Sequence, residues 1–198
     1  NFCSDHFKKD QLSELIKKSY KNFEVDDVVY LNKITKNNNN NVLELFHGPT
    51  LAFKDIAMQV IGNMYDELEV AKNKKVNVVV ATSGDTGSAA ISALNDRKNI
   101  NVFVLHPNNK ISKNQRKIMT TIGSNNIFNI AIDGTFDDCQ NIVKSMFNDN
   151  EFRALVKIFV VLDSVLSNKL MLSPEYGLYA IVFLSLEVII SSKKLWLC

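Results

Sequence analysis

Val76-Asn77-Val78-Val79-Val80-Ala81-Thr82-Ser83-Gly84-Asp85-Thr86-Gly87-Ser88-Ala89-Ala90-Ile91-Ser92-Ala93-Leu94 decides the fold class. The valine-rich start, Val76 to Ala81, reads as a strand buried on both faces, as strands of parallel sheets are. Small polar residues with Gly84 and Gly87 follow, and then a run of small and apolar residues with helical character. Strand, polar turn and helix in that order is one unit of a parallel α/β sheet. The glycines permit a tight backbone there. The Ser and Thr hydroxyls and the first amides of the helix form a donor-rich cup suited to a carboxylate or phosphate. The same residues also read as a capped helix with nothing bound.

Outward from this unit the alternation continues. The pattern predicts a helix over 87–95, strand Asn101 to Leu105, helix 112–121, strand Ile127 to Ile132 and helix Phe136 to Phe147. Upstream it predicts strand Val42 to Phe46 and a helix from Asp55 to Val70, whose Ile56, Met58, Val60, Ile61, Met64 and Leu68 give an extensive apolar surface. Residues 6–20 carry Phe7, Leu12, Leu15 and Ile16 at helical spacing and read as a packing helix. Asn37 to Asn41 read as a surface loop. Ligands of such sheets collect at the carboxyl ends of the strands, where Thr82 to Gly87, His106-Pro107 and Asp133-Gly134 all fall. No G-x-G-x-x-G or Walker lysine loop occurs, which argues against a nucleotide.

One more block carries chemistry: Glu44-Leu45-Phe46-His47-Gly48-Pro49-Thr50-Leu51-Ala52-Phe53-Lys54-Asp55. It delivers a lysine, flanked by apolar residues, where a Gly-Pro turn meets a helix. Partial removal of an amine from water favours its neutral, nucleophilic form, as Schiff-base chemistry requires. A solvated lysine at a helix start is the other reading.

Together the Glu44–Asp55 and Ala81–Ala90 blocks resemble the threonine synthases, pyridoxal-phosphate enzymes of fold type II. Pro107-Asn108-Asn109-Lys110-Ile111-Ser112, with the following Gln115 and Met119-Thr120-Thr121, and Ile130-Ala131-Ile132-Asp133-Gly134-Thr135-Phe136-Asp137-Asp138-Cys139-Gln140 are similar to the same family in the same order. The resemblance covers residues 40 to 153 well and the first forty loosely. It implies an α/β fold: the parallel-sheet small domain of a fold-type-II pyridoxal-phosphate enzyme, with the large domain incomplete. It implies that Lys54 holds pyridoxal 5'-phosphate as a Schiff base and then shuttles protons on the substrate, O-phosphohomoserine, to give threonine. Ser83, Gly84, Thr86 and Gly87 would grip the α-carboxylate. Asp85 is assigned to the cofactor's edge, because a carboxylate repels the substrate's own.

His47, within the lysine block, and Lys110 and Arg116, as cations for phosphate, are additional candidates; solvated cations at a helix start are the other reading of the last two. Asp137 and Asp138 read as the acidic first turn of a helix. A phospho-lyase that releases phosphate and ammonia and leaves a 2-oxo acid is the alternative activity. Pro49, Leu51 and the Gly134–Gln140 block favour threonine synthase. A fragment that acts only by binding is the third reading.

Composition bounds the remainder. With 198 residues, 46% hydrophobic and 22% charged, the chain can bury a substantial core, and a net charge of +2 without a basic aromatic patch argues against nucleic acid. Cys3, Cys139 and Cys198 are scattered, and His6, His47 and His106 lack metal spacing, which points to a reducing compartment and no metal. The expected location is the cytoplasm, or an organelle, since the chain opens on Asn1.

Three parts are expected: a helical segment 1–40, the lysine and loop domain 41–153, and a hydrophobic tail 154–198 that departs from the family. There, Val165-Leu166-Ser167-Asn168-Lys169-Leu170-Met171 stands in place of the family's segment, as a foreign or frame-shifted ending would. The family's glycine-rich phosphate loop and pyridine-nitrogen partner are not found, so activity of this chain alone is not expected. Gly177 to Ile190 contains Ser185 and Glu187 and is short for a membrane span, so no membrane partner is expected.

Overall fold

A computed structural model describes residues 7–33, 41–72, 75–156, 158–163 and 171–172. Its centre is strand β3 (Val76–Ala81) in a sheet with β4 (Ile100–Pro107), β5 (Ile127–Ile132), β6 (Ile158–Asp163) and β7 (Met171–Leu172). The order is β5-β4-β3-β6-β7, and every pairing is parallel except β6 with β7. With two neighbours and both faces covered, β3 must be apolar on every side, which is why it reads as a valine run rather than an alternation.

Alternate residues of β3 and β4 face two different layers. Val78, Val80, Val102 and Val104 join the helices α1 (Lys9–Tyr20), α2 (Lys54–Lys72) and α3 (Asp85–Leu94) in one apolar core. Val79, Ala81 and Leu105 face α5 (Phe136–Asn148) through Cys139 and Val143. The small residues Ala89, Ala90 and Ala93 let α3 lie close to the sheet, while its fully buried Ile91 and Leu94 each contribute roughly 1.5–3 kcal/mol.

Two further helices, α4 (Lys113–Thr121) and α6 (Asn150–Val156), complete the layers, and β1 (Tyr30–Lys33) pairs antiparallel with β2 (Asn41–Glu44). On the α5 side a cavity of about 630 Å³ is lined by Phe103, Ile130, Met146, Phe152 and Leu155 among others. Asn77 is its single polar residue among the described ones. No helix among the described residues is long and apolar enough to cross a membrane.

The strands expected at 76–81 and 127–132 stand at those bounds, and the other expected helices and strands from 42 to 148 are present with ends shifted by a few residues. The expected helix over 6–20 is found at Lys9–Tyr20. Helix α3 starts two residues earlier than the spacing suggests, at Asp85, because Thr82 organises the turn before it by accepting the Gly84 and Gly87 amides. β1, α6, β6 and β7 have no counterpart in the sequence reading. β6 falls inside the segment set apart as a tail, yet it pairs with β3 from Asn77↔Ile158 to Ala81↔Asp163. The readings placed on residues 37–40, 165–170 and 177–190 lie outside the described residues.

Candidate active site

The lysine block folds around one buried carboxylate. Asp55, fully buried, accepts from the Thr50 amide and the Thr50 hydroxyl, each at 2.7 Å. These bonds close the Thr50–Asp55 turn, in which Leu51 takes φ of 59° and donates its amide to the Gly48 carbonyl. A side chain at position 48 would strike Asp55, since a Cβ there would lie 2.4 Å from that residue's Cβ. Burial pushes the Asp55 carboxyl above its ordinary pKa, against the Thr50 bonds that pull it down. Phe46, Leu51 and Phe53 stand half exposed around the turn.

Lys54 is the first residue of α2. Its Nζ lies 4.4 Å from the centroid of the Phe53 ring, and no carboxylate pairs with it among the described residues. The neighbouring acid, Asp55, is already committed to Thr50. An amine over an aromatic face, with no counter-ion to hold it, is available for reaction.

The turn before α3 is held differently. Thr82, also fully buried, accepts from the Gly84 amide at 2.9 Å and the Gly87 amide at 2.8 Å. The Ser88 hydroxyl donates to the Gly84 carbonyl at 2.8 Å. This corrects the view of every hydroxyl here as a donor to a ligand: the Thr82 oxygen is an internal acceptor, and Ser88 is spent on the backbone. Gly84 precedes the helix with φ of 140° and no side-chain cap. The amides of Asp85 and Thr86 belong to the first turn, where no intrahelical acceptor exists. The Thr86 hydroxyl is buried without a hydrogen-bond partner among the described residues, whereas Ser83 and Asp85 are exposed.

Helices α2 and α3 run side by side in the same direction. Gln59 of α2 bonds to Ser92 of α3, Gly62 of α2 packs on the Ala93 carbonyl, and Arg97, just past the end of α3, bonds to Asn63 and Asp66 of α2. Carried back to the helix starts, those pairings set Lys54 level with the first turn of α3. The amine and the donor-rich turn therefore share one end of the molecule, at the carboxyl edge of the sheet.

The other sequence candidates are more peripheral. His47 is mostly buried between two acids, its Nε2 2.9 Å from Glu44 and its Nδ1 3.7 Å from Glu24; its carbonyl takes the Glu24 amide at 2.9 Å. It staples the loop before β1 to the strand that feeds the lysine turn. Lys110 and Arg116 are exposed; Arg116 donates to Asn109 at 3.2 Å. Lys110 lies close enough to Asp138 to help lower its carboxyl pKa, after the larger effects of the Thr135 amide and hydroxyl. Asp137 and Asp138 lie in the first turn of α5, as expected of an acidic helix start, and Thr135 and Asp138 further form a reciprocal capping box there. No three His, Cys, Asp or Glu side chains converge on a metal position among the described residues.

Three residues had no assigned part in the sequence reading: Thr82, Asp55 and Gln115. Gln115 donates its Nε2 to Asp85 and accepts from the Ser112 hydroxyl at 2.8 Å. The spacing Ser112-x-x-Gln115 is a capping-box signature, and it was the signal available for that pair.

Residues 27–162 match the family described as pyridoxal-phosphate dependent enzyme. Threonine synthase from Eremothecium gossypii is 46% identical over 152 residues, 72% of this chain and 30% of that protein. Threonine synthase from Pseudomonas aeruginosa is 48% identical over 139 residues, 70% of this chain and 29% of that protein. A crystal structure of pyridoxal-phosphate-bound threonine synthase from Brucella melitensis superposes with a TM-score of 0.70 at 40% identity, over 84% of this chain and 33% of that one. The chain thus spans about 30% of the length of the curated relatives it matches. The family match reaches Leu162, beyond the residue where the sequence reading ends the resemblance.

Proposed function

The chain belongs to the pyridoxal-phosphate dependent enzymes, and from that premise we propose that its residues 41–153 are the lysine-bearing, carboxylate-binding part of a threonine synthase. The reaction converts O-phosphohomoserine and water to threonine and phosphate. The observation that carries the reading is Lys54, an amine without a counter-ion among the described residues, level with a helix start that has spare donors and a buried hydroxyl at Thr86 with no partner among those residues. These residues fit the cofactor: an amine to attach its aldehyde, and beside it a polar turn to hold a substrate acid.

When bound, pyridoxal phosphate supplies the electron sink that makes the substrate's Cα and Cβ protons removable. Lys54 would hold the cofactor through its amine, and the same amine would be the group that moves protons at the substrate's Cα and Cβ. Ser83, Thr86 and the Asp85 and Thr86 amides hold the α-carboxylate, with the positive end of α3 behind it. Gly84 and Gly87 let the backbone approach. Asp85 stands at the cofactor's edge and is kept off the substrate acid by like charge. His47 positions the turn that carries Lys54, and Lys110 and Arg116 add positive potential for the phosphate. In the net reaction phosphate leaves Cγ, that carbon gains a proton and water adds at Cβ. Three scattered cysteines with no pairing pattern support a reducing compartment for this activity, the cytoplasm or an organelle.

Reduction with borohydride in the presence of pyridoxal phosphate tests the assignment. Peptide mass mapping is expected to find the reduced adduct on Lys54 and to lose it in Lys54→Ala. Adduct on Lys110, Lys113 or Lys117 with Lys54 unmodified would overturn it.

A further inference from the structure

Gln115 lies outside the groups just assigned, yet it touches the loop at its most constrained point. A Cβ on Gly84 would lie 2.4 Å from the Gln115 side-chain carbon Cδ and 2.5 Å from its Oε1, so the carboxamide rests directly on the Gly84 backbone. Its orientation is dictated. Ser112 donates its hydroxyl hydrogen into the Gln115 Oε1 at 2.8 Å, and Ser112 Oγ in turn takes the Gln115 amide at 3.2 Å. With the carbonyl end thus occupied, the NH2 end must face the other way, and there it meets the Asp85 carboxylate.

Asp85 is the first residue of α3, and a carboxylate in a helix's first turn is drawn toward the free amides of that turn. Left to itself it would compete for the donors that a ligand's carboxylate needs, and would repel that ligand. The Gln115 NH2 gives it another partner, on α4. We propose that Gln115 is a positioning residue that tethers Asp85 to α4 and so keeps the first-turn donors of α3 free for the substrate's α-carboxylate. This rests on the reading of the α3 turn as a carboxylate site, and it adds a residue on a separate helix that sets the affinity of that site without touching the ligand.

The test is titration of the 15N-labelled protein with O-phospho-L-homoserine, following the amide signals of Gly84 to Gly87. Four variants are compared with the wild type: Gln115→Ala, Gln115→Glu, Asp85→Asn and the double Gln115→Ala/Asp85→Asn. Gln115→Ala is expected to weaken binding about tenfold, the scale of one carboxylate set loose beside a bound anion. Gln115→Glu keeps the cover over Gly84, loses the donor and is expected to bind more weakly still; it serves if the alanine variant does not fold. The double variant is expected to return to within about threefold of Asp85→Asn, because the charge released by the first change is removed by the second. A merely structural role for Gln115 would not be rescued by Asp85→Asn, and that outcome overturns the inference. Equal affinity of wild type and both single Gln115 variants also overturns it while leaving the carboxylate site standing. Absence of any shift in the α3 amides of the wild type overturns the site and the tether together.

Discussion

The turn that presents Lys54 and the turn that opens α3 solve the same problem with opposite chemistry. Each reverses the chain at the carboxyl edge of the sheet, and each is organised by one fully buried side-chain acceptor that takes two bonds from its own loop. In the first the acceptor is a carboxylate, Asp55, bonded to the Thr50 amide and hydroxyl. In the second it is a hydroxyl, Thr82, bonded to the Gly84 and Gly87 amides. The internal acceptor frees the group next to it. Asp55 is committed to Thr50, and Lys54 has no counter-ion among the described residues; Thr82 satisfies one amide on either side of the Asp85 and Thr86 amides and leaves those two open. The difference is charge: the lysine turn depends on a group that titrates, and the helix turn does not.

The largest effect should come from removing the charged acceptor. Asp55→Ala strands a buried amide and a buried hydroxyl at once, and the expected loss of stability is about 3 kcal/mol in urea denaturation. Thr82→Val leaves two buried amides without a partner, with neutral bonds at stake, and the expected loss is smaller, about 2 kcal/mol. A Thr82→Val loss equal to or larger than that of Asp55→Ala would break the comparison, because charge would then carry no weight in holding either turn.

The pH response sharpens the same contrast. Burial raises the Asp55 pKa above its ordinary value of 3.8, so between that value and the raised one the native state holds more protons than the unfolded chain. Stability from this group therefore falls as pH rises through the window. Asp138 runs the other way. The Thr135 bonds hold its carboxyl below 3.8, so its contribution is present above that value and is lost as pH falls toward the lowered one. Unfolding free energies measured from pH 3 to 7 for wild type and Asp55→Asn should differ by an amount that shifts against the wild type as pH rises. The Thr82→Val difference from wild type should be flat across the same range. A flat Asp55→Asn curve would mean that the Thr50 bonds offset burial completely.

What could be read from the sequence tracks how local the determining interaction is. β3 stands at its expected bounds because its consecutive valines suit a parallel strand covered on both faces, whereas β5, an edge strand with most residues exposed, was read from its apolar Ile and Phe content and its place in the alternation. The start of α5 was legible as an acidic first turn at Asp137 and Asp138, a signal confined to adjacent residues, whereas the box that Thr135 closes with Asp138 was not read. β6 was not. Ile158 to Leu162 is an apolar run that composition cannot tell from a buried helix segment, and its partner β3 lies some eighty residues upstream. β1 was missed for another reason, since all four of its residues are exposed and carry no periodic burial signal. Within the candidate site, the helix start at Lys54 could be read because a Gly-Pro turn before a helix is a local pattern. The tether from Gln115 to Asp85 could not, because nothing in either segment specifies that α3 and α4 begin side by side.

The smallest effect, and the one of opposite sign, belongs to Thr86. Its hydroxyl is buried with no partner, a cost that a fold carries without return unless a ligand fills the missing bond. Thr86→Val keeps the side-chain shape and removes that unsatisfied oxygen, so the free protein should become more stable by about 1 kcal/mol. Thr82→Val, four residues earlier and chemically the same change, should destabilise. Binding of O-phospho-L-homoserine, followed by the α3 amide signals, should weaken in Thr86→Val by about 1.5–3 kcal/mol, the worth of a hydrogen bond to a charged group. A variant that gains stability and loses affinity identifies the Thr86 hydroxyl as held open for the ligand. If Thr86→Val instead loses stability and binds as the wild type does, the hydroxyl serves the fold, and the α3 turn is a capped helix start like any other.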